Sequence, residues 1–278
     1  MKQTLRDKLI RLVLHGLLVS LALITVLPFA YIVLLSFGDG VIGAQATIPE
    51  SFTLDNYRSL LSETAFMSWF ANSIMLALLA MVIALVLVSL AVYAFARLNF
   101  FGQRKLFSAI LLVQIFPLTL SMVSIFRIFM VLGLLNRLMG LVIINSVFAS
   151  AALVLVAKGY FDTIPKSLDE AALLDGADRF KIFYKIILPL AKPILAIVAL
   201  QSFVLAYNEY VIASVVMTEG IESMPLAVGL QSLIVGQYGT NWSLYCAGAV
   251  IGSIPMLILF YSLQRYFIDN LTVGSVKE

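Results

Sequence analysis

The chain has 278 residues, 62% of them hydrophobic and 12% charged, with a formal net charge of +3 and a mean hydropathy of +1.04. Soluble domains carry about 25% charged and about 45–50% apolar residues, so an ordinary soluble domain is excluded. No Lys/Arg stripe interleaves with stacking aromatics, so nothing points to nucleic acid. A single cysteine, Cys246, and a single histidine, His15, exclude an internal disulfide and a Cys-based metal cluster.

Apolar runs of roughly 18 or more residues recur, each able to cross a hydrocarbon core about 30 Å thick. Amides in lipid must pair within their own segment, so these runs read as helices. The expected fold is an all-α polytopic membrane protein with six spans in one domain over 1–278. Lys2, Arg6, Lys8 and Arg11 precede the run 12–35. That run is longer than a signal-peptide core and lacks a small-residue cleavage site, so it reads as an uncleaved first span. The segment 36–66 is rich in glycine and acid and ends in F-T-L-D-N-Y. It predicts an outer loop and a short amphipathic helix capped by Thr53 or Asp55. A second span, 67–96, leads to the basic turn of Arg97, Arg104 and Lys105 around Gly102.

The third span, 106–125, carries Gln114 and is broken by Pro117; the fourth, 138–157, carries Asn145 and Ser146. A polar loop, 158–192, precedes the fifth span, 193–217. An outer loop, 218–244, with Pro225, Gly229, Gly236, Gly239 and Trp242, precedes the sixth, 245–267. With both termini on one side, the expected inner segments hold fifteen Lys and Arg and the outer ones three, Arg58, Arg127 and Arg137. This asymmetry puts the termini and the loop 158–192 in the cytoplasm.

Within that loop lies S-L-D-E-A-A-L-L-D-G-A-D-R-F-K-I-F-Y-K-I-I-L-P, Ser167 to Pro189, a charged island between apolar segments. Ser167 with Asp169 and Glu170 matches a capping box and suits the positive end of a helix dipole. Gly176 stands where a left-handed residue would stop that helix. Asp178 can cap a second helix, 179–188, ended by Pro189. On it Phe180, Phe183, Tyr184 and Ile187 follow the spacing of one apolar face. Two short helices bent at a glycine, with the small Ala171 and Ala172 on the first, form a surface that another protein can approach closely.

Glu170-Ala171-Ala172, then Gly176, then Ile186-x-Leu188-Pro189 resembles the cytoplasmic signature of ABC importer permeases, with its spacing complete. F-T-L-D-N-Y, Tyr207-Asn208-Glu209, M-P-L-A-V-G-L and the closing N-L-T-V-G-S-V-K are similar to carbohydrate-uptake permeases of the maltodextrin G type. Glu278 stands where a glycine is usual in that tail. The resemblance implies a type I importer permease in the cytoplasmic membrane of a prokaryote, forming half of a pathway for maltose, maltodextrin or trehalose. It implies a homologous second permease, two ATPase subunits that use ATP and Mg, and an extracellular sugar-binding protein, with no cofactor held by this chain. Ser167, Asp169, Glu170, Ala171, Ala172, Gly176, Ala177, Phe180 and Pro189 would then couple to the ATPase. Gly236, Gln237, Tyr238 and Gly239 would meet the binding protein.

Intramembrane polar residues usually face a bundle interior or a wet cavity. Gln114, Asn145, Tyr207, Asn208 and Glu209 are therefore the expected substrate path, since amides, a carboxylate and an aromatic ring suit sugar hydroxyls and faces. For Gln114 and Asn145 plain interhelical hydrogen bonds are the competing reading. A secondary transporter would predict inverted repeats, and no strong repeat is visible. A membrane enzyme would need a nucleophile–base pair or a metal cluster. Within the ABC class the alternative cargo is a polyol or a sugar phosphate.

Overall fold

The computed structural model describes residues 5–39, 49, 51–115, 118–235 and 241–273, and the described residues are helices and turns joined by one isolated bridge, Gly38 to Phe52. In chain order the helices are α1 (Leu5–Ser36), α2 (Asp55–Glu63), α3 (Phe66–Arg97), α4 (Gln103–Ile115), α5 (Met122–Val131) and α6 (Leu138–Phe161). They continue as α7 (Ser167–Leu174), α8 (Arg179–Ile182), α9 (Leu188–Leu190), α10 (Lys192–Tyr207), α11 (Ala213–Val216), α12 (Leu226–Gln231) and α13 (Trp242–Val273). A π-turn, Phe183–Ile187, joins α8 to α9, and 3-10 turns cover Leu118–Ser121 and Ile221–Ser223.

Among the described residues, four helices are long and apolar enough to cross a membrane alone: Ile10–Ser36, Phe66–Arg97, Leu138–Phe161 and Trp242–Tyr266. The helices Arg179–Leu190 and Lys192–Tyr207 have the length and composition of a fifth span only when taken together, and they are bent by 79° where they meet. Two expected spans differ from the sequence reading. The third, 106–125, is divided among α4, a 3-10 turn and α5, and Pro117 lies outside the described residues. The fifth does not run to 217. Its helix ends at Tyr207, the chain turns through 208–212, and only the short α11 follows.

The contacts divide the chain into two units, 1–64 with 230–253, and 65–229 with 254–278. In the first, α1 stands with Leu17, Ile24 and Phe29 exposed. At its end Asn56 donates to the carbonyls of Ser36 and Gly38, at 3.0 and 2.8 Å, and the Ser36 and Tyr57 hydroxyls lie 2.7 Å apart. These bonds tie α2 to the end of α1. Thr53 accepts from the Asp55 amide at 3.1 Å in a short turn, but the residue at the helix start is Leu54 and no side chain caps it, so neither Thr53 nor Asp55 is the cap.

In the second unit, α3 packs most extensively against α6 and α10. The buried residues Ser73, Ala77, Ala80, Ala84, Val88 and Val92 recur every three or four positions along α3. That stripe of small and β-branched side chains lets neighbouring backbones come close. Ser146, Ser150 and Ser202 donate to carbonyls of their own helices, so their hydroxyls are buried without unsatisfied donors. At 32 residues α3 is about 48 Å long at 1.5 Å per residue, so its ends project beyond a hydrocarbon core about 30 Å thick.

Candidate functional site: the helical island and its anchor

The island 167–189 folds as a bent pair of helices, but its first helix starts differently from expectation. Ser167 is already helical. The residue before it, Lys166, has helical backbone angles (φ −66°, ψ −22°), and no side chain caps the start. The amides of Leu168 and Asp169 instead donate to the Pro165 and Lys166 carbonyls, at 3.3 and 3.0 Å. Pro165 thus begins the turn one step early, and a serine with helical angles cannot serve as a cap. The capping box is absent.

The end of α7 follows the expected pattern. Gly176 has φ +78°, the Ala177 amide donates to the Ala172 carbonyl at 2.9 Å, and the Gly176 amide donates to Leu173 at 3.0 Å. These two bonds form a Schellman motif. A Cβ on Gly176 would meet nothing within 4 Å. Asp178 then caps α8, its carboxylate accepting from the Lys181 amide at 2.7 Å.

Pro189 does not end the second helix. The Leu188 amide donates five residues back, to Phe183, and the chain continues through Pro189 to Leu190. The widened π-turn makes room where the proline ring would otherwise meet the Lys185 carbonyl. The extra residue also splits the expected apolar face. Phe183 and Ile187 are buried, joined by Ile182, whereas Tyr184 and Phe180 are exposed, Phe180 at 74%. Around the bend, Leu174 is 90% exposed and Ala171 and Glu170 face outward, while Ala172 is buried beneath them.

Two residues that sequence reasoning passed over hold this island to α3. Arg97 was read only as part of a basic turn; its side chain is 4% exposed. One terminal nitrogen donates to the Ile164 carbonyl at 2.8 Å and the other reaches Phe161 at 3.4 Å. Its Nε lies 2.8 Å from Oδ2 of Asp169, itself 15% exposed. This contact is a charge pair, since neither Asp169 oxygen takes part in an aligned hydrogen bond. One turn earlier Tyr93 donates to the Arg179 carbonyl at 3.1 Å, and its ring lies 4.9 Å from that of Phe183. A cavity of about 150 Å³, lined by Tyr93, Arg97, Lys166, Asp169, Glu170 and Leu173 among others, opens beside the pair.

The five residues of the expected substrate path do not converge. Gln114 donates to the Ala151 carbonyl and so joins α4 to α6. Asn145 is buried and donates to Leu141 in its own helix at 2.9 Å. Tyr207 is buried and stacks on Phe203 at 5.5 Å, which packs it into the bundle instead of exposing it to a solute. Asn208 is exposed at the end of α10, donating to Val204 at 3.1 Å. Glu209 is half-buried and accepts from the Ile212 amide at 2.6 Å, which closes the turn ahead of α11, whose own start carries no side-chain cap. Only Asn208 and Glu209 share a place, the break after α10.

The first half of the outer loop 218–244 packs across its own unit. Trp69 donates to the Ile221 carbonyl at 2.7 Å, Asn72 to Glu222 and Met224 at 2.8 and 3.1 Å, and Ser73 accepts from the Leu226 amide at 2.7 Å. Asn136, at φ +56°, accepts from the Thr218 and Glu219 amides at 2.7 and 3.0 Å. Gly229 lies flat against Trp69, where a Cβ would come within 2.1 Å of the indole. Gly236, Gln237, Tyr238 and Gly239, the expected binding-protein contacts, lie outside the described residues.

Residues 93–273, the stretch that begins at Tyr93, match the family described as binding-protein-dependent transport system inner membrane component. The maltodextrin transport system permease protein MdxG of Bacillus subtilis is 35% identical, over 82% of this chain and 81% of that one. The galactooligosaccharides transport system permease protein GanQ of the same organism is 33% identical over 96% of each. A crystal structure of a bacterial ABC transporter involved in the import of the acidic polysaccharide alginate contains a chain that superposes with a TM-score of 0.81. It is 26% identical and covers 96% of this chain and 99% of that one. A helical island fixed to apolar spans, a family match over well over half the chain and relatives above 30% identity agree: this protein belongs to the binding-protein-dependent transport system inner membrane components, as a multi-pass permease of an ABC importer.

Proposed function

We propose that the chain is the permease subunit of an ATP-driven importer of maltodextrin-type oligosaccharides, with the island 167–189 and both termini in the cytoplasm. It lines half of the pathway beside a homologous second permease. Two ATPase subunits, which bind ATP and Mg, dock on the island, and an extracellular sugar-binding protein delivers the cargo. The observation that carries this reading is the bend at Gly176, where Leu174 and Phe180 stand exposed beside Glu170 and the small Ala171. Large apolar side chains held outward on short, well-anchored helices suit insertion into an apolar cleft of a partner. The names of the relatives, a maltodextrin permease and a galactooligosaccharide permease, support an oligosaccharide as cargo.

The test is reconstitution in proteoliposomes of this chain with its second permease, ATPase and binding protein. Maltodextrin-loaded binding protein is expected to stimulate ATP hydrolysis and sugar accumulation together. ATP hydrolysis indifferent to every loaded oligosaccharide tested would overturn the cargo assignment.

A further inference from the structure

We infer that Tyr93 and Arg97 form the latch through which movement of the island reaches the membrane-spanning bundle, an assignment that rests on the coupling role proposed above. The two residues are one turn apart on α3 and therefore share a face. Between them they hold both helices of the island. Arg97 takes α7 through Asp169, and Tyr93 takes α8 through the Arg179 carbonyl and the ring of Phe183.

Arg97 also binds the carbonyl of Phe161, the last residue of α6, and that of Ile164 just beyond it, at the negative end of the helix dipole. One guanidinium thus joins three segments: the end of α3, the end of α6 and the first turn of α7. Asp169 is consequently committed inward, whereas its neighbour Glu170 faces outward. The pair is buried and bound by charge without aligned hydrogen bonds. Such pairs contribute little net stability, yet loss of one partner leaves an uncompensated charge. That combination suits a positional link, which holds two elements in register, better than a packing contact. Because α3 carries the small-residue stripe against α6 and α10, a displacement of α7 acts directly on the helix at the centre of the bundle.

The experiment uses the whole reconstituted complex and reads sugar transported per ATP hydrolysed, with copurification of all subunits as the measure of assembly. Arg97→Gln and Asp169→Asn are each expected to lower that ratio about tenfold, and the double variant to be no worse than the worse single, as coupled neighbours behave. Tyr93→Phe removes only the hydroxyl to Arg179 and keeps the ring on Phe183. It is expected to assemble fully and to lose coupling about threefold, in line with one lost hydrogen bond. Should Arg97→Gln fail to assemble, Tyr93→Phe decides: an unchanged ratio in an intact complex overturns the latch. Gly176→Leu separates the two claims. If it uncouples while the Tyr93 and Arg97 variants transport normally, the latch alone is wrong; if all three leave the ratio unchanged, the coupling role of the island falls with it.

Discussion

Gly176 allows fold and docking to be separated by a series of substitutions. Its φ of +78° places it in the left-handed region, where an L side chain costs about 1–2 kcal/mol. No atom lies within 4 Å of a built Cβ, so in the free chain alanine pays the conformational cost alone, and the exposed bend gives a leucine side chain open space to start from. Asparagine, which tolerates this region, should cost less than either. Thermal unfolding of the purified chain in detergent is therefore expected to fall by a similar few degrees for Gly176→Ala and Gly176→Leu, and by less for Gly176→Asn. Uptake should not follow that order. If a partner surface closes over the bend, Gly176→Leu loses far more transport than Gly176→Ala, although the two are equally stable. Equal loss of uptake in the alanine and leucine variants, in proportion to stability, would reduce the glycine to a helix terminator and refute the reasoning.

Other contacts give equally direct expectations. Gly229→Ala drives a methyl group into a fully buried Trp69 that is held by its bond to Ile221. Overpacking of this kind costs about 1–3 kcal/mol; a calorimetric midpoint unmoved by the change would show that the indole can yield. Asn136→Ala removes the acceptor for two amides and puts alanine at φ +56°, so a loss of about 2 kcal/mol is expected, with Asn136→Asp close to neutral, by the same measurement. Glu209→Ala removes the acceptor for the Ile212 amide and should cost about 1 kcal/mol, as loss of one hydrogen bond does. Glu209→Gln keeps an acceptor, so reduced uptake in the glutamine variant at unchanged stability marks the carboxylate as part of the path, and normal uptake assigns it to holding the turn alone.

What could be read from the sequence was what is local. The apolar runs of α3, α6 and α13 announce themselves because hydropathy is summed over neighbouring residues. Gly176 and Asp178 were legible because a helix terminator and a cap act over three to five positions. The start of α7 was misread because the Ser167-x-x-Glu170 pattern also occurs where a helix has already begun, here at Pro165. The π-turn changed the phase of the second helix, so a 3.6-residue count assigned Phe180 and Tyr184 to the wrong side. Arg97–Asp169, Trp69–Gly229 and Asn136 with Thr218 join residues more than 70 positions apart. Nothing in the neighbourhood of any one of these residues names its partner. For Arg97 the available signal was a cation at the boundary of an apolar run, which also describes the ordinary positively charged flank of a span.

An ATPase subunit covering the bend of the island would shield the residues exposed there. Cys246 is the only cysteine in the chain and is buried, so a Cys246→Ser background accepts one probe, Leu174→Cys, at the most exposed large apolar side chain of the bend. In the assembled, transporting complex this thiol is expected to cross-link to the ATPase subunit and to be shielded from a water-soluble maleimide. A thiol that reacts freely with the maleimide and forms no ATPase cross-link while transport continues would show that the bend is not where the ATPase docks.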